Sequence, residues 1–431
     1  MSIPTIRRAA VLASAAALLA LTALPVATAA QDDTAQVRVL HGSGDAPAVD
    51  VYAGKDRVVE GLEFASITPY LEVPGGEYRI RVVPAGATLK EGPVVIDAKL
   101  AFDGGTATTV AATGSLAEGI IPQVLLDDPS PSVENAQARV VHFAFDAPAV
   151  DIAPVGGDPL ITDLAYPDNS GYADLPPGSY TLEVRAAGSP DAVVTLPPLD
   201  LAAGTSSSAF AVGSLDAGTF TVVPALDASI PTTATLRVLH ASPDAPPVDV
   251  VLNGVRVFGN LPFGQSSILL TVPVGENQIQ IIPSGGSLED SPVVIDATLP
   301  FEGGTQTTVI ASNSLENIEA TVVADNLDTK AKRAQVRIGH LSADAPNVDI
   351  APDGSKAKDA LLKDVAYGTV SDYLTLKGGE YDLDVREPGT KNVIADLPAL
   401  QLENGTNYSA YAIGSPADGS FQVVLLVDAT S

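Results

Sequence analysis

The sequence predicts an all-β protein of four tandem immunoglobulin-like or transthyretin-like β-sandwich domains that follow a signal peptide. Two observations carry this prediction. The only four histidines of the 431-residue chain stand at positions 41, 142, 240 and 340, and each begins a close copy of one motif. Between the copies, apolar and polar residues alternate with a period of two, which is typical of half-buried strands. An interval of about 100 residues is that of ordinary domains, since solenoid repeats are much shorter.

The order of residue types in the first thirty residues predicts a secretory signal peptide. Arg7 and Arg8 precede the apolar stretch AAVLASAAALLALTALPV, and small residues follow it before a cleavage point after Ala29 or Ala30. This order favours cleavage over a retained membrane anchor. No cysteine follows the stretch, which excludes lipoprotein attachment. We therefore expect an exported mature chain, secreted or at the cell surface, without membrane insertion.

Composition narrows the possible partners. The chain has no cysteine, so its stability must come from packed cores rather than disulfides. Its formal net charge of −29 disfavours binding to nucleic acid and to anionic membranes. The acidic surface suits solubility, weak binding of divalent cations or a saline habitat. We expect an extracellular protein or glycan as the partner and assign no cofactor.

The repeats alternate between two types, which we name A1 (36–130), B1 (136–230), A2 (234–328) and B2 (334–428). Repeats A1 and A2 share the text PVVIDA and a later Phe-acid-Gly-Gly-Thr segment, whereas B1 and B2 share VDIAP and an Ala-Tyr pair. The simplest origin is one A–B pair that was duplicated whole. Polar, irregular segments at 127–137, 227–235 and 325–335 are predicted to be links.

Within each repeat the chain predicts about seven short strands. A hairpin text recurs at 73–82, 175–184, 272–281 and 376–385, where glycine supplies the positive φ of the turn. Tyr78, Ile80 and Val82 alternate there with Arg79 and Arg81, which predicts a strand with one buried face and one solvent-exposed face. No sustained helical period follows residue 30.

The repeated motif is His-x3-Asp-Ala-Pro-x-Val-Asp. Its proline predicts a turn between the first strand, which ends at the histidine, and a second strand. The first aspartate suits an Asx-type bond within that turn. The second needs a partner because aspartate is disfavoured inside strands, and Arg38, Arg139, Arg237 and Arg337 are the candidates. The motif residues are His41, Asp45, Asp50, His142, Asp146, Asp151, His240, Asp244, Asp249, His340, Asp344 and Asp349.

The alternative is that the motif is a metal or catalytic site. One histidine and two aspartates could imitate a facial triad, yet zinc sites generally need three or four converging ligands. A Ser-His-Asp triad fails as a repeated mechanism because Ser43 is replaced by Ala144 in B1. We therefore interpret the motif as structural and assign no catalytic, cofactor-binding or metal-binding residue.

The text LRVLHASPDAPPVDVVLNG at 236–254, with the hairpin text VPGGEY at 73–78, resembles the bacterial domain-of-unknown-function family 4397. The resemblance covers nearly all of 36–428. It implies a repeated β-sandwich module of exported bacterial proteins and implies no activity. Phe145 and Asn277 stand where the family prefers proline and tyrosine.

These observations favour a non-catalytic protein with an adhesive, matrix or spacer role. A carbohydrate-binding accessory module and a metal-dependent extracellular hydrolase are the alternatives. Strict A–B alternation further predicts that A packs on B within 36–230 and within 234–428, with a looser joint at 227–235. Phe210, Tyr408 and Tyr411 are the aromatic residues of type B that could serve this contact, and packing inside B is the alternative role for them.

Overall fold

A computed structural model describes residues 33–431 except 287, 288, 290 and 398. The predicted signal peptide lies outside the described residues. The chain falls into two compact units that divide between Asp128 and Pro129. No helix in the described part of the chain has the length and apolar character needed to span a bilayer.

Repeat A1 has eight strands. They are β1 Thr34–His41, β2 Val49–Ala53, β3 Asp56–Leu62, β4 Leu71–Pro74, β5 Gly76–Pro84, β6 Ile96–Phe102, β7 Ala107–Ser115 and β8 Gly119–Asp127. Two four-stranded sheets result, in the orders β4-β1-β7-β8 and β3-β2-β5-β6. Strands β1 and β7 are parallel, with Val39 opposite Val110, and the other pairings are antiparallel.

Repeat B1 follows the same plan with shorter strands. They are β9 Ala136–His142, β10 Val150–Pro154, β11 Ile161–Leu164, β12 Ala173–Leu175, β13 Gly178–Tyr180, β14 Leu182–Ala186, β15 Ala192–Thr195, β16 Leu199–Leu201, β17 Thr205–Val212 and β18 Thr221–Ser229. The hairpin strand is interrupted at Thr181, so β13 pairs with β16 in a small sheet of its own. The larger sheets are β12-β9-β17-β18 and β11-β10-β14-β15.

Repeat A2 repeats the eight-stranded pattern of A1. Its elements are β19 Thr233–His240, β20 Val248–Leu252, β21 Val255–Leu261, β22 Leu270–Pro273, β23 Gly275–Pro283, β24 Ile295–Phe301, β25 Gln306–Ser312, a 3-10 helix Leu315–Asn317 and β26 Glu319–Asp325. The sheets are β22-β19-β25-β26 and β21-β20-β23-β24. Leu236, Val238, Val250, Ile279 and Ile281 alternate into the core between them.

Repeat B2 follows the plan of B1 with one additional short strand and a 3-10 helix. Its elements are β27 Ala334–Leu341, β28 Val348–Pro352, a 3-10 helix Ala357–Asp359, β29 Leu362–Val365, β30 Thr369–Val370, β31 Leu374–Leu376, β32 Gly379–Tyr381, β33 Leu383–Arg386, β34 Val393–Asp396, β35 Leu400–Leu402, β36 Thr406–Ile413 and β37 Gln422–Thr430. The all-β class is confirmed, with four sandwich-like units, although the A repeats have eight strands where about seven were expected.

The link at 227–235 is shorter and better packed than its polar composition predicts. Strand β18 continues to Ser229 and β19 begins at Thr233. Between them, the amide of Ile230 donates to the carbonyl oxygen of Gly204 at 2.8 Å. On the other side, a Cβ on Gly304 would lie 3.2 Å from the ring of Pro231. The division at Asp128 rather than at this joint therefore corrects the expectation of a looser joint here. The repeat boundaries themselves stay a prediction.

Candidate functional site

Each histidine closes the turn of its own motif. The Nε2 atom of His41 lies 3.0 Å from the carbonyl oxygen of Pro47, and His142, His240 and His340 make the same contact with Pro148, Pro246 and Pro346. Since a carbonyl oxygen only accepts, Nε2 carries the proton in each ring. The rings are at most 4% exposed. Burial lowers the pKa of His41, His240 and His340, and the proline contact offsets part of this.

The second ring nitrogen differs between the two repeat types. In type A, the backbone N–H of Ser43 or Ser242 points at Nδ1 over 3.4 Å. In type B, the buried Nδ1 atoms of His142 and His340 have no hydrogen-bond partner. Both arrangements fit neutral imidazole rings that link the end of the first strand of each repeat to the turn that follows it.

The first aspartate of each motif binds a turn about 70 residues further along the chain. Asp45 accepts from the amide of Leu116 at 2.9 Å, and Asp146 accepts from Leu215 and Asp216 at 3.0 and 3.1 Å. Asp244 accepts from Leu315 at 2.8 Å. In B2, the hydroxyl of Ser415 donates to Asp344. The expected bond within the motif's own turn is thus not the main one, because the turn after strand β7 and its counterparts presents free amides to this carboxylate.

The carboxylate of the second aspartate accepts hydrogen bonds from two residues whose backbone is in the left-handed region. Asp50 accepts from the amides of Gly61 at 2.8 Å and Gly86 at 3.1 Å, where φ is +63° and +79°. The equivalent donors are Asp163 and Gly188 for Asp151, Asn260 and Gly285 for Asp249, and Asp364 and Gly389 for Asp349. Burial raises the pKa of Asp50, but these amides and Arg57 outweigh it and lower the pKa overall. The carboxylate therefore holds a β-bulge and a hairpin turn in place.

The predicted pairing of this aspartate with the arginine of the first strand is wrong. Asp50 lies 3.2 Å from Arg57, and Asp249 lies 3.1 Å from Arg256. Arg38 instead donates to the hydroxyl of Thr109 at 2.7 Å. The two groups lie in different sheets of the sandwich, since Arg38 is in β1 and Asp50 is in β2.

The arginine belongs to a buried network that crosses three neighbouring strands. In B1, Arg139 donates to Ser208 at 2.7 Å, and Ser208 donates to Asp227 at 2.5 Å. The hydroxyl of Tyr172 also donates to Asp227, and its ring lies 4.5 Å from the Arg139 guanidinium carbon. Burial, followed by the charge of Asp227, raises the pKa of Tyr172. In A1 the corresponding residues are Arg38, Thr109, Asp127 and Tyr70.

The acidic member of this network was not predicted from the sequence. Asp127, Asp227 and Asp325 begin the segments that were predicted to be links, yet they end or lie within the last strand of each repeat. Their recurrence at the same place in the repeat, together with Asp428, was the available signal. An aspartate kept at the end of an apolar strand is costly unless it is paired.

In repeats A2 and B2 the networks are joined across the two repeats. Arg237 keeps an ion pair with Asp325 of its own repeat at 3.2 Å. Nη2 of Arg237 in A2 lies 2.5 Å from Oδ1 of Asp428 in B2, and its Nη1 donates to the carbonyl oxygen of Val427 at 2.9 Å. Reciprocally, Arg337 of B2 pairs with Asp325 of A2 and donates to the carbonyl oxygen of Ala324 at 2.7 Å. All four charged side chains are at most 5% exposed. This is the reciprocal contact of a two-fold interface, made here by two repeats of one chain.

An apolar cluster also joins the two repeats. Leu239, Ala241 and Ile310 of A2 pack with Leu341, Tyr411 and Ile413 of B2 in one group of buried residues. This confirms, for 234–428, the prediction that A packs on B, and it confirms the interface role of Tyr411. Tyr408 lies instead in the internal core of B2. Pairing within 36–230 stays a prediction.

The motif groups are poorly placed for metal or nucleophilic chemistry. Every motif histidine donates to a carbonyl, and every motif aspartate accepts hydrogen bonds from within its own repeat. Among the residues that the structure describes, no three His, Cys, Asp or Glu side chains are grouped to hold a metal ion. The arrangement can brace turns, and binding a cation would require breaking several of these bonds.

Comparison with known proteins gives one family. A family model described as "Domain of unknown function (DUF4397)" matches residues 35–153, 151–235, 234–351 and 334–431. No curated protein matches the chain. Among twelve matching solved chains is "The Bacillus anthracis TIE protein", at 11% identity and a TM-score of 0.15. That match covers 85% of this chain and 66% of the other, and its low TM-score carries no argument.

Proposed function

The chain belongs to the DUF4397 family over four consecutive segments, and on this basis we propose that it is a non-catalytic, exported spacer protein built from rigid module pairs. The spacer role holds other parts of an extracellular assembly at a fixed distance. Adhesive and matrix roles share this modular design but need an exposed surface that binds a partner. The spacer role needs only defined geometry between modules.

One observation carries the proposal: A2 and B2 are joined by a shared apolar cluster and by two reciprocal buried ion pairs. Domains that move independently need no such interface, and inter-domain motion is the default where the interface is small or polar. Desolvated ion pairs stabilise poorly compared with apolar packing, yet they impose one register strongly. A fixed register between modules is what a spacer requires.

The non-catalytic part of the proposal is supported by the hydrogen bonds that the polar groups of the motif already make. A general base or metal ligand needs an available lone pair that faces a substrate. The buried rings of His41 and its equivalents instead span strand and turn, and Asp50 and its equivalents each accept two amide hydrogens. The same use in all four repeats favours a structural function over four copies of one active site.

The proposal is tested with the purified full-length exported protein. It should hydrolyse chromogenic esters, glycosides and peptides no faster than buffer, and elemental analysis should find less than one tightly bound transition metal per chain. Turnover that is lost in His240→Gln and kept in the surface control Val255→Gln would overturn the proposal and support the hydrolase alternative. Micromolar binding on a glycan array would support the carbohydrate-binding alternative.

Export is tested separately. The mature protein should be recovered outside the cytoplasm, with an N-terminus at Ala30 or Gln31 by mass spectrometry. An intact residue 1–30 segment on a cytoplasmic product would overturn this part of the proposal.

A further inference from the structure

The interior of repeat A1 contains an apolar cavity of about 290 Å³. It lies between the two sheets, and all eight strands of the repeat contribute to its lining, Val58 from β3 and Pro122 from β8 among them. This volume is roughly twice that of an engineered apolar cavity that takes up benzene. Close-packed interiors ordinarily contain few voids larger than a water molecule.

Repeat A2 has larger aliphatic side chains around the same space. The two A repeats align without a gap from residue 35 to residue 118. Val37, Ala53 and Val82 of A1 correspond to Leu236, Leu252 and Ile281 of A2, all of which are buried in the A2 core. These three positions give A2 five more carbon atoms, although its buried Asn277 is smaller than the Tyr78 of A1.

The A1 core is also more open to solvent. Val39, Val73 and Ile80 are only half-buried in A1, whereas their counterparts Val238, Val272 and Ile279 in A2 are completely buried. Leaving these aliphatic groups in contact with water costs free energy in proportion to their area. An apolar occupant would remove that cost.

The lining indicates the shape of the occupant. Strand β5 contributes Tyr78, Ile80 and Val82 in succession, which spans about 13 Å along the strand at about 3.3 Å per residue. A cavity of about 290 Å³ that extends over this length has a narrow cross-section. It suits a single extended alkyl chain better than a fused ring system.

The polarity of the lining indicates the head group. Glu72 is the one charged residue of the lining, and it is exposed on the edge strand β4. A carboxylate or phosphate head beside Glu72 would meet a like charge, which is unfavourable. The chain as a whole is also strongly acidic. An uncharged head group is therefore favoured.

We infer that repeat A1 binds the alkyl chain of an uncharged lipid or long-chain alcohol between its two sheets. We expect this property to be specific to A1, since A2 has larger aliphatic side chains at three positions of the corresponding lining. It is independent of the spacer role, which depends on the interface between A2 and B2.

The test is isothermal titration calorimetry of the full-length protein with n-decanol. Wild type should bind one equivalent saturably. The double variant Ala53→Leu with Val82→Ile copies the A2 side chains and should bind at least tenfold more weakly. Val193→Leu, which adds one methylene at an exposed position of B1, should bind as wild type does. If the double variant fails to fold, Val82→Ile alone should still weaken binding.

Decanoate provides the charge arm of the experiment. It should bind more weakly than decanol at neutral pH, and Glu72→Gln should narrow this difference. No saturable binding of decanol by wild type, or equal binding by the folded double variant, would overturn the inferred site. Equal affinity for decanoate and decanol would overturn the preference for an uncharged head.

Discussion

Arg237 and Asp428 are 191 residues apart in sequence, and yet their Nη2 and Oδ1 atoms lie 2.5 Å apart in a buried ion pair. The pair joins the first strand of A2 to the last strand of B2. Its reciprocal, between Arg337 and Asp325, joins the first strand of B2 to the last strand of A2. The two repeats therefore share one folded core region, and a change at this interface should be felt in both.

Asp428→Ala is expected to destabilise both A2 and B2. The change removes the closer carboxylate of Arg237, whose buried charge is then paired only with Asp325 at 3.2 Å, and it removes the acceptor of Tyr373 and Ser409. Breaking a buried pair from one side costs about 3–5 kcal/mol, and the remaining Asp325 contact should keep the loss near the lower end of this range. Hydrogen exchange followed by mass spectrometry should show faster exchange in β19 and β25 as well as in β36 and β37. Asp191→Ala, at an exposed position in B1, is the control and should change nothing; protection retained in A2 would contradict the coupling.

Asp50→Ala should destabilise A1 by about 1–3 kcal/mol, because the amides of Gly61 and Gly86 lose a charged acceptor. Asp50→Asn keeps one acceptor oxygen and should cost less. Limited proteolysis in increasing urea measures the midpoint for A1. A wild-type midpoint for Asp50→Ala would show that the carboxylate serves something other than the turns.

Asp249→Ala makes the same change in A2, but its effect should extend further. The sequence alone predicts that the other three repeats are untouched. The shared cluster of A2 and B2 changes this expectation, so that B2 should also lose protection. The same proteolysis experiment, read with fragments of A2 and B2, distinguishes the two outcomes.

Stability should fall in two steps as the pH is lowered. The pKa values of His41, His240 and His340 are lowered by burial, so below about pH 6.5 the unfolded chain takes up protons that the folded chain does not. Each histidine then costs at most about 1.4 kcal/mol per pH unit until its folded pKa is reached. The lowered pKa values of Asp50 and Asp249 add a second loss below about pH 4.

Urea denaturation between pH 3 and pH 8 measures both steps. His240→Gln should flatten the step near pH 6 for repeat A2 while leaving the acid step intact. An unchanged profile in this variant would mean that the histidine does not contribute to the pH dependence.

Added zinc or calcium should leave the melting temperature unchanged at millimolar concentration. A ligand that binds only the folded state must raise it by mass action, but the motif carboxylates and imidazoles are already hydrogen-bonded. A zinc-dependent rise that disappears in His340→Gln, and persists in a surface variant such as Val393→Gln, would identify a metal site.

The sequence predicted the fold well because period-two alternation and glycine turns are local signals. It placed the histidine at the end of the first strand, and β1, β9 and β19 do end at His41, His142 and His240. It also indicated which aspartates need partners. The partners themselves depend on which strands share a sheet, and this is why Arg38 was wrongly matched with Asp50.

The interface between A2 and B2 left no local trace in the sequence. Strand β27 is buried along its whole length, yet it contains Gln335, Arg337 and His340 and does not read as the continuous apolar run typical of a strand covered on both faces. The cavity of A1 could not be predicted, because it depends on the summed volume of side chains from all eight strands.

The rigid pairing of A2 and B2 is tested most directly by a distance measurement between spin labels. The chain contains no cysteine, so Val255→Cys in A2 and Val393→Cys in B2, at 62% and 50% exposure, give two clean labelling sites. Double electron–electron resonance on the full-length protein should give one narrow distance distribution, which broadens when Arg237 and Arg337 are both replaced by alanine. A broad distribution in the otherwise unchanged protein would show independently moving domains and would contradict the rigid pair.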